Sequence, residues 1–224
     1  MPRQLSLDLP SAKARQAESF LVTASTQAAH SAVLGDAPWP QGKLVLTGPE
    51  GSGKSLLAAL WAAREGACIL TGEELAGLPP PPATAAVVVE DIDRLPADAE
   101  EPLFHLFNHL SSSGGRLLMT SRRAPAQLDL RLADLASRLQ ATALAELRDP
   151  DDRLLALLLA RFMADRQILP RAGVIPYLVG RMERSATAAR AIAAELDAAA
   201  LAQGRGVTRD LARAVLDKHA GTAR

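Results

Sequence analysis

The sequence predicts the α/β class: a parallel sheet flanked by helices, followed by a small all-α domain. Three observations predict it. Short apolar runs at 43–47, 85–89 and 116–120 alternate with stretches at helical spacing, the pattern of strands joined by crossover helices. The run Ala85–Val89 has no polar alternation, as expected of a strand covered on both faces. After about residue 148 the strand signals stop and only helical spacing remains.

Taken in order, residues 1–18 form a tail in which Gln4-Leu5-Ser6-Leu7-Asp8-Leu9 alternates leucines with polar residues. A period of two fits a first strand, and equally a short extended peptide made for a partner's groove. Phe20 to Leu34 reads as an entry segment and a helix, and Ala37–Gly42, with two prolines, as a turn. Lys43–Thr47 is a strand, Lys54–Arg64 a helix and Ala67–Leu70 a short strand. The four consecutive prolines ending at Pro82 require an extended connector. Leu103, Phe104, Leu106, Phe107 and Leu110 share one face of a helix that begins at Glu100 and is ended by Gly114-Gly115. Asp149-Pro150-Asp151-Asp152 predicts a helix start with Asp149 as N-cap and Pro150 in the first turn. Helices are predicted at about 150–167, 171–183, 185–203 and 208–219, with Ser185 and Thr208 as caps. The predicted domains are the tail 1–18, an α/β domain 19–148 and a helical domain 149–224.

Composition narrows the function classes. Lys+Arg and Asp+Glu number 25 each in 224 residues, a net charge of +0. That argues against a protein that holds DNA by bulk positive charge. A single cysteine, Cys68, cannot make an internal disulfide and reads as strand packing. With no apolar run of membrane length and no signal peptide predicted behind Arg3 and Asp8, a cytoplasmic location is expected. His105 and His109 are spaced four apart on one helix, but no third metal ligand accompanies them.

The chemistry lies in two motifs. Gly48-Pro49-Glu50-Gly51-Ser52-Gly53-Lys54-Ser55 fits the P-loop pattern in full, with an apolar strand before it and a helix after it. Gly48, Gly51 and Gly53 let the backbone turn its N–H groups inward, and Ser52 lies among them. Lys54 is the phosphate cation and Ser55 the Mg²⁺ ligand, the helix that begins near Lys54 turns its positive end to the phosphates, and Leu56 in its first turn is counted with the cofactor-binding residues. The second motif, Val87-Val88-Val89-Glu90-Asp91, ends a buried strand in two acids. Glu90 and Asp91 are the expected Mg²⁺ contacts, with Asp91 also orienting the attacking water.

With these residues in view, the chain resembles the AAA+ ATPases and, among them, the DnaA family, over nearly all of residues 20–220. "GPEGSGKSLLA" resembles its Walker A, "VVVEDIDRL" its Walker B, and "GGRLLMTSR" its sensor-I strand, which places a catalytic role on Ser121. "LADLASRL" resembles its box VII and implies an arginine finger at Arg138, and the helical tail resembles the AAA+ lid. The resemblance implies ADP or ATP with Mg²⁺ as ligands. No counterpart of an initiator's DNA-binding helix-turn-helix is expected after the lid-like segment that runs to Arg224. "QLSLDL" resembles the sliding-clamp-binding peptide of the regulatory, Hda-type members. That implies a tether to the clamp (the DNA polymerase III β subunit) through Gln4, Leu5, Leu7 and Leu9. It also implies a partner in DnaA, whose ATP hydrolysis Arg138 would stimulate in trans.

Two departures from the family pattern favour an activator over an efficient ATPase. The sensor-I strand ends Thr120-Ser121-Arg122, with a base in place of the usual acid. The sensor-II arginine position aligns with Thr187, leaving Arg190 or Arg184 as substitutes, and Arg190 is taken as the nucleotide contact. Sequence-specific DNA binding and a membrane are not expected, and a homo-oligomer stays open. A self-contained ATPase, such as a helicase loader or clamp-loader subunit, is the alternative. A small P-loop kinase leaves the long helical lid unexplained.

Overall fold

The computed structural model describes residues 20–75 and 85–222. The predicted tail peptide and the four-proline connector lie outside the described residues. The elements are α1 (Gln27–Leu34), β1 (Lys43–Thr47), α2 (Lys54–Glu65), β2 (Cys68–Leu70), β3 (Ala86–Val89), α3 (Glu100–Ser112), β4 (Arg116–Ser121), α4 (Ala133–Gln140) and β5 (Ala143–Glu146). They continue with α5 (Asp152–Ala164), α6 (Val174–Val179), α7 (Ala186–Gln203) and α8 (Arg209–Thr222). The chain divides into two compact units. One holds Ser31–Thr47 and Gly53–Ala145 together with Phe20. The other holds Leu21–His30, Gly48–Ser52 and the chain from Glu146 onward.

The first unit is built on a five-stranded sheet in the order β2-β3-β4-β1-β5. β1 and β3 each pair with β4 in parallel, and β2 pairs with β3 in parallel. Residues of β1, β3 and β4 are almost all buried, because helices cover both faces of these central strands. The core on one side is Val45, Val87, Val89, Leu103, Phe107, Leu110, Leu117 and Met119, with Leu135 and Leu139 from α4. β2 is an outer strand, so Cys68 is exposed and does not pack as the sequence suggested. β5 was not anticipated: Ala143–Glu146 alternates only weakly, and only Ala145 is buried. Thr47 Oγ1 donates to Ala145 O at 3.3 Å beside it.

The second unit is helical. Leu155, Leu159 and Met163 of α5 meet Ile192 and Leu196 of α7 and Ala212 and Val215 of α8. Asp151, not Asp149, caps α5: its carboxylate accepts from Leu154 N at 2.7 Å and from Ser25 N at 3.1 Å. Pro150 therefore precedes the helix. Burial pushes the Asp151 carboxyl up, but these N–H donors outweigh it and hold the carboxyl below its ordinary value. Ser185 and Thr208 cap their helices through Ala188 N at 3.0 Å and Leu211 N at 3.3 Å. No described helix is long and apolar enough to cross a membrane.

Candidate nucleotide site

In a parallel sheet, ligands gather at the carboxyl ends of the strands. In the first unit, β4 lies between β1 and β3, with Leu46 beside Thr120, Thr47 beside Ser121 and Val89 beside Met119. The register therefore brings Thr47, the Glu90-Asp91 turn and Thr120-Ser121 to one edge.

The loop after β1 has the backbone of a phosphate cradle. Gly51 (φ 74°) and Gly53 (φ 98°) are left-handed, which only glycine adopts without strain. Gly53 stands at the N-cap of α2, and no side chain caps that helix start, so its first N–H groups face outward with the positive end of the helix. Lys54 opens α2 and is only 6% exposed, while Ser55 is exposed and Leu56 half-buried behind it. The Ser52 hydroxyl is buried without a hydrogen-bond partner among the described residues. An orphaned hydroxyl inside a glycine loop, beside a buried lysine, is what a bound polyphosphate would satisfy.

Space around the loop is tight. A side chain at Gly53 would meet the edge of the Phe20 ring at 3.3 Å. In the second unit, a side chain at Gly51 would come 2.7 Å from Thr187 Oγ1, and one at Gly48 would come 2.5 Å from Leu147 O. Thr187, at the position the sequence aligned with sensor II, thus stands against Gly51. The two candidate substitutes each make a side-chain contact within the helical unit. Arg184 pairs with Asp152 at 2.6 Å, and the Arg190 guanidinium rests 4.8 Å from the centre of the Phe162 ring.

The acidic turn is held by contacts the sequence did not reveal. Glu90 is half-buried and Asp91 exposed. Asp91 has a left-handed backbone (φ 51°, ψ 49°), an uncommon conformation for a residue with a side chain. Its N–H donates to Thr120 Oγ1 at 3.0 Å. Two residues on, the Asp93 carboxylate, 1% exposed, accepts from Arg122 N at 3.0 Å and from Arg122 Nε at 2.6 Å. Burial pushes the Asp93 carboxyl up, and the Arg122 amide and guanidinium more than offset it, leaving it below the ordinary carboxylate value. The base in the unexpected sensor-I place is therefore the partner of a buried acid. Ser121, expected to act in catalysis, is fully buried, and its hydroxyl donates to Arg123 O at 2.6 Å. The hydroxyl of β4 that reaches the acidic turn is that of Thr120.

Arg138 lies in the last turn of α4 and is exposed. Its guanidinium stands 5.2 Å from the Phe104 ring centre and 5.9 Å from that of Phe107. The start of α4 is fixed by Glu100, which the sequence marked only as the first residue of the preceding helix. It is 5% exposed, and its carboxylate accepts from Arg131 N and Leu132 N at 3.2 and 2.7 Å. Among the described residues no group of three His, Cys, Asp or Glu side chains is placed to hold a metal ion.

No protein-family model matches the sequence. Solved structures share this fold, a five-stranded sheet flanked by helices and followed by a helical unit. The chain is similar to domain III of the replication initiation protein DnaA from Thermotoga maritima. The TM-score is 0.74 at 20% identity, over 90% of this chain and 95% of that one. It is similar to AMPPCP-bound DnaA from Aquifex aeolicus with a TM-score of 0.60 at 19% identity, covering 75% of this chain and 60% of that one. The Thermotoga maritima RuvB Holliday junction branch migration motor gives 0.62 at 15% identity, over 86% and 66%.

Proposed function

We propose that this chain is an AAA+ regulator of the Hda type, which binds ADP or ATP with Mg²⁺ and stimulates ATP hydrolysis by DnaA through Arg138. The observation that carries the reading is Arg138: exposed, yet braced on two phenylalanines in a helix whose start is pinned by a buried carboxylate. A guanidinium offered in trans has to be presented in one orientation, and stacking on aromatic faces supplies that. An arginine finger of this kind is worth about 10³–10⁵ in rate.

In the binding role, the N–H groups of Gly51, Ser52 and Gly53 and the Lys54 ammonium hold phosphate oxygens. Ser55, Glu90 and Asp91 would hold Mg²⁺, which when bound neutralises charge between phosphate groups. Arg190 is proposed as a further nucleotide contact. The half-buried tie of the Asp91 N–H to Thr120 Oγ1 holds the acid in its left-handed turn. The bound state of the Aquifex aeolicus structure supports an adenine nucleotide as the ligand class.

The test mixes the protein with ATP alone, and separately with ATP-loaded DnaA and clamp-loaded DNA. Stimulation of DnaA is expected, with little hydrolysis by the chain alone. Arg138→Ala should abolish stimulation while nucleotide affinity stays within about twofold, and retained stimulation refutes the finger. Lys54→Ala should weaken nucleotide binding by more than tenfold. Substantial hydrolysis by the chain alone, with none added to that of DnaA, would favour a self-contained ATPase, which the complete P-loop and acid pair also support. Clamp tethering is tested by pull-down with the sliding clamp, where Gln4→Ala/Leu5→Ala should lose capture.

A further inference from the structure

We propose a second oxyanion site in the helical unit, for a phosphate group, built by Arg181, Arg209 and Arg213 around Tyr177. These residues, with Asp210 and Asp217, line a concave pocket of about 610 Å³, within the size range of small-ligand sites. The Arg181 guanidinium carbon is 4.4 Å from the Tyr177 ring centre and that of Arg209 is 4.7 Å from the same centre. Among the described residues neither guanidinium makes an ion pair. Among the described residues Arg213 has one ion pair, a long contact with Asp217 at 3.9 Å.

Two unneutralised cations brought to one ring repel each other, and an anion between them removes that repulsion. The ring also fixes the guanidinium planes, so little side-chain freedom is lost when they engage a ligand. Planar guanidiniums suit the paired oxygens of a phosphate. Three arginines against two aspartates leave one net positive charge, which fits a single phosphate group better than a long polyanion track. Asp210 works against the anion, and that gives the site a sign that can be tested. The site is separate from the P-loop and does not depend on the function proposed above.

The experiment titrates inorganic phosphate and a 12-nucleotide single strand into the full chain carrying Lys54→Ala, which removes the P-loop's phosphate cation. Saturable phosphate binding is expected. Arg181→Ala/Arg209→Ala should weaken it at least tenfold, Tyr177→Phe should preserve it, and Asp210→Asn should tighten it. Circular dichroism on each variant separates loss of the site from loss of fold. If the oligonucleotide also binds and is lost in the arginine double variant, the phosphate comes from a nucleic-acid backbone. If phosphate alone binds, the ligand is a small phosphate compound. No saturable binding, binding unchanged in a folded double variant, or weakening by Asp210→Asn would overturn the proposal.

Discussion

The two units bury different things. Among the described residues, the α/β unit encloses Lys43, Thr47, Lys54, Glu100, Thr120 and Ser121 at 6% exposure or less. Among the described residues of the helical unit, the polar ones buried to that degree are Thr23 and Thr26, both outside its long helices. Each buried polar group in the sheet unit costs desolvation and is retained only with partners. Lys43 shows this: its ammonium donates to Gln41 O at 2.9 Å and Gly115 O at 3.2 Å, and burial still pushes its pKa down. Four of these groups (Thr47, Lys54, Thr120 and Ser121) stand at the site edge. The interior of the helical unit is thus apolar and its polar groups lie at its surface and in its loops, whereas the sheet unit gives up apolar core to hold a chemical surface.

The largest effect should come from the apolar unit. Leu159 is fully buried in its core, and Leu159→Ala should cost about 3–4 kcal/mol in denaturant unfolding. A cost below about 1 kcal/mol would mean that this core is loosely packed, and the contrast would fail.

An intermediate effect is expected at the acid–base tie. Arg122→Ala leaves the Asp93 carboxylate buried without its cation and should cost about 2 kcal/mol at neutral pH. The sign with pH follows from the lowered Asp93 value. The unfolded carboxyl titrates near about 3.9, so the tie contributes fully above that pH and is lost as pH falls through the lower folded value. The wild-type advantage over Arg122→Ala should therefore shrink below about pH 4. An advantage that is flat across that range would show that Arg122 acts by packing.

The smallest effect is Thr120→Val, which keeps the shape and removes the acceptor for Asp91 N–H. About 1 kcal/mol of stability should be lost. The sharper readout is nucleotide affinity in Mg²⁺ against EDTA: a loss confined to Mg²⁺ conditions places Thr120 in service of the acids.

The sequence by itself determined the class, the helical second half and the phosphate loop, because each is local. A P-loop is eight consecutive residues, and the left-handed glycines it needs are readable as glycines. Buried strands and amphipathic helices likewise carry their environment in their own spacing. The tertiary structure alone decided the strand order, the existence of β5, and the pairing of Arg122 with Asp93 and of Glu100 with the start of α4. Those contacts join residues about thirty positions apart, and nothing in either segment marks its partner. It also chose Asp151 over Asp149 as the cap and exposed Cys68. A carboxylate caps only where a free N–H lies within reach, and a strand residue is buried only if another layer covers it, and both conditions are set by the rest of the fold.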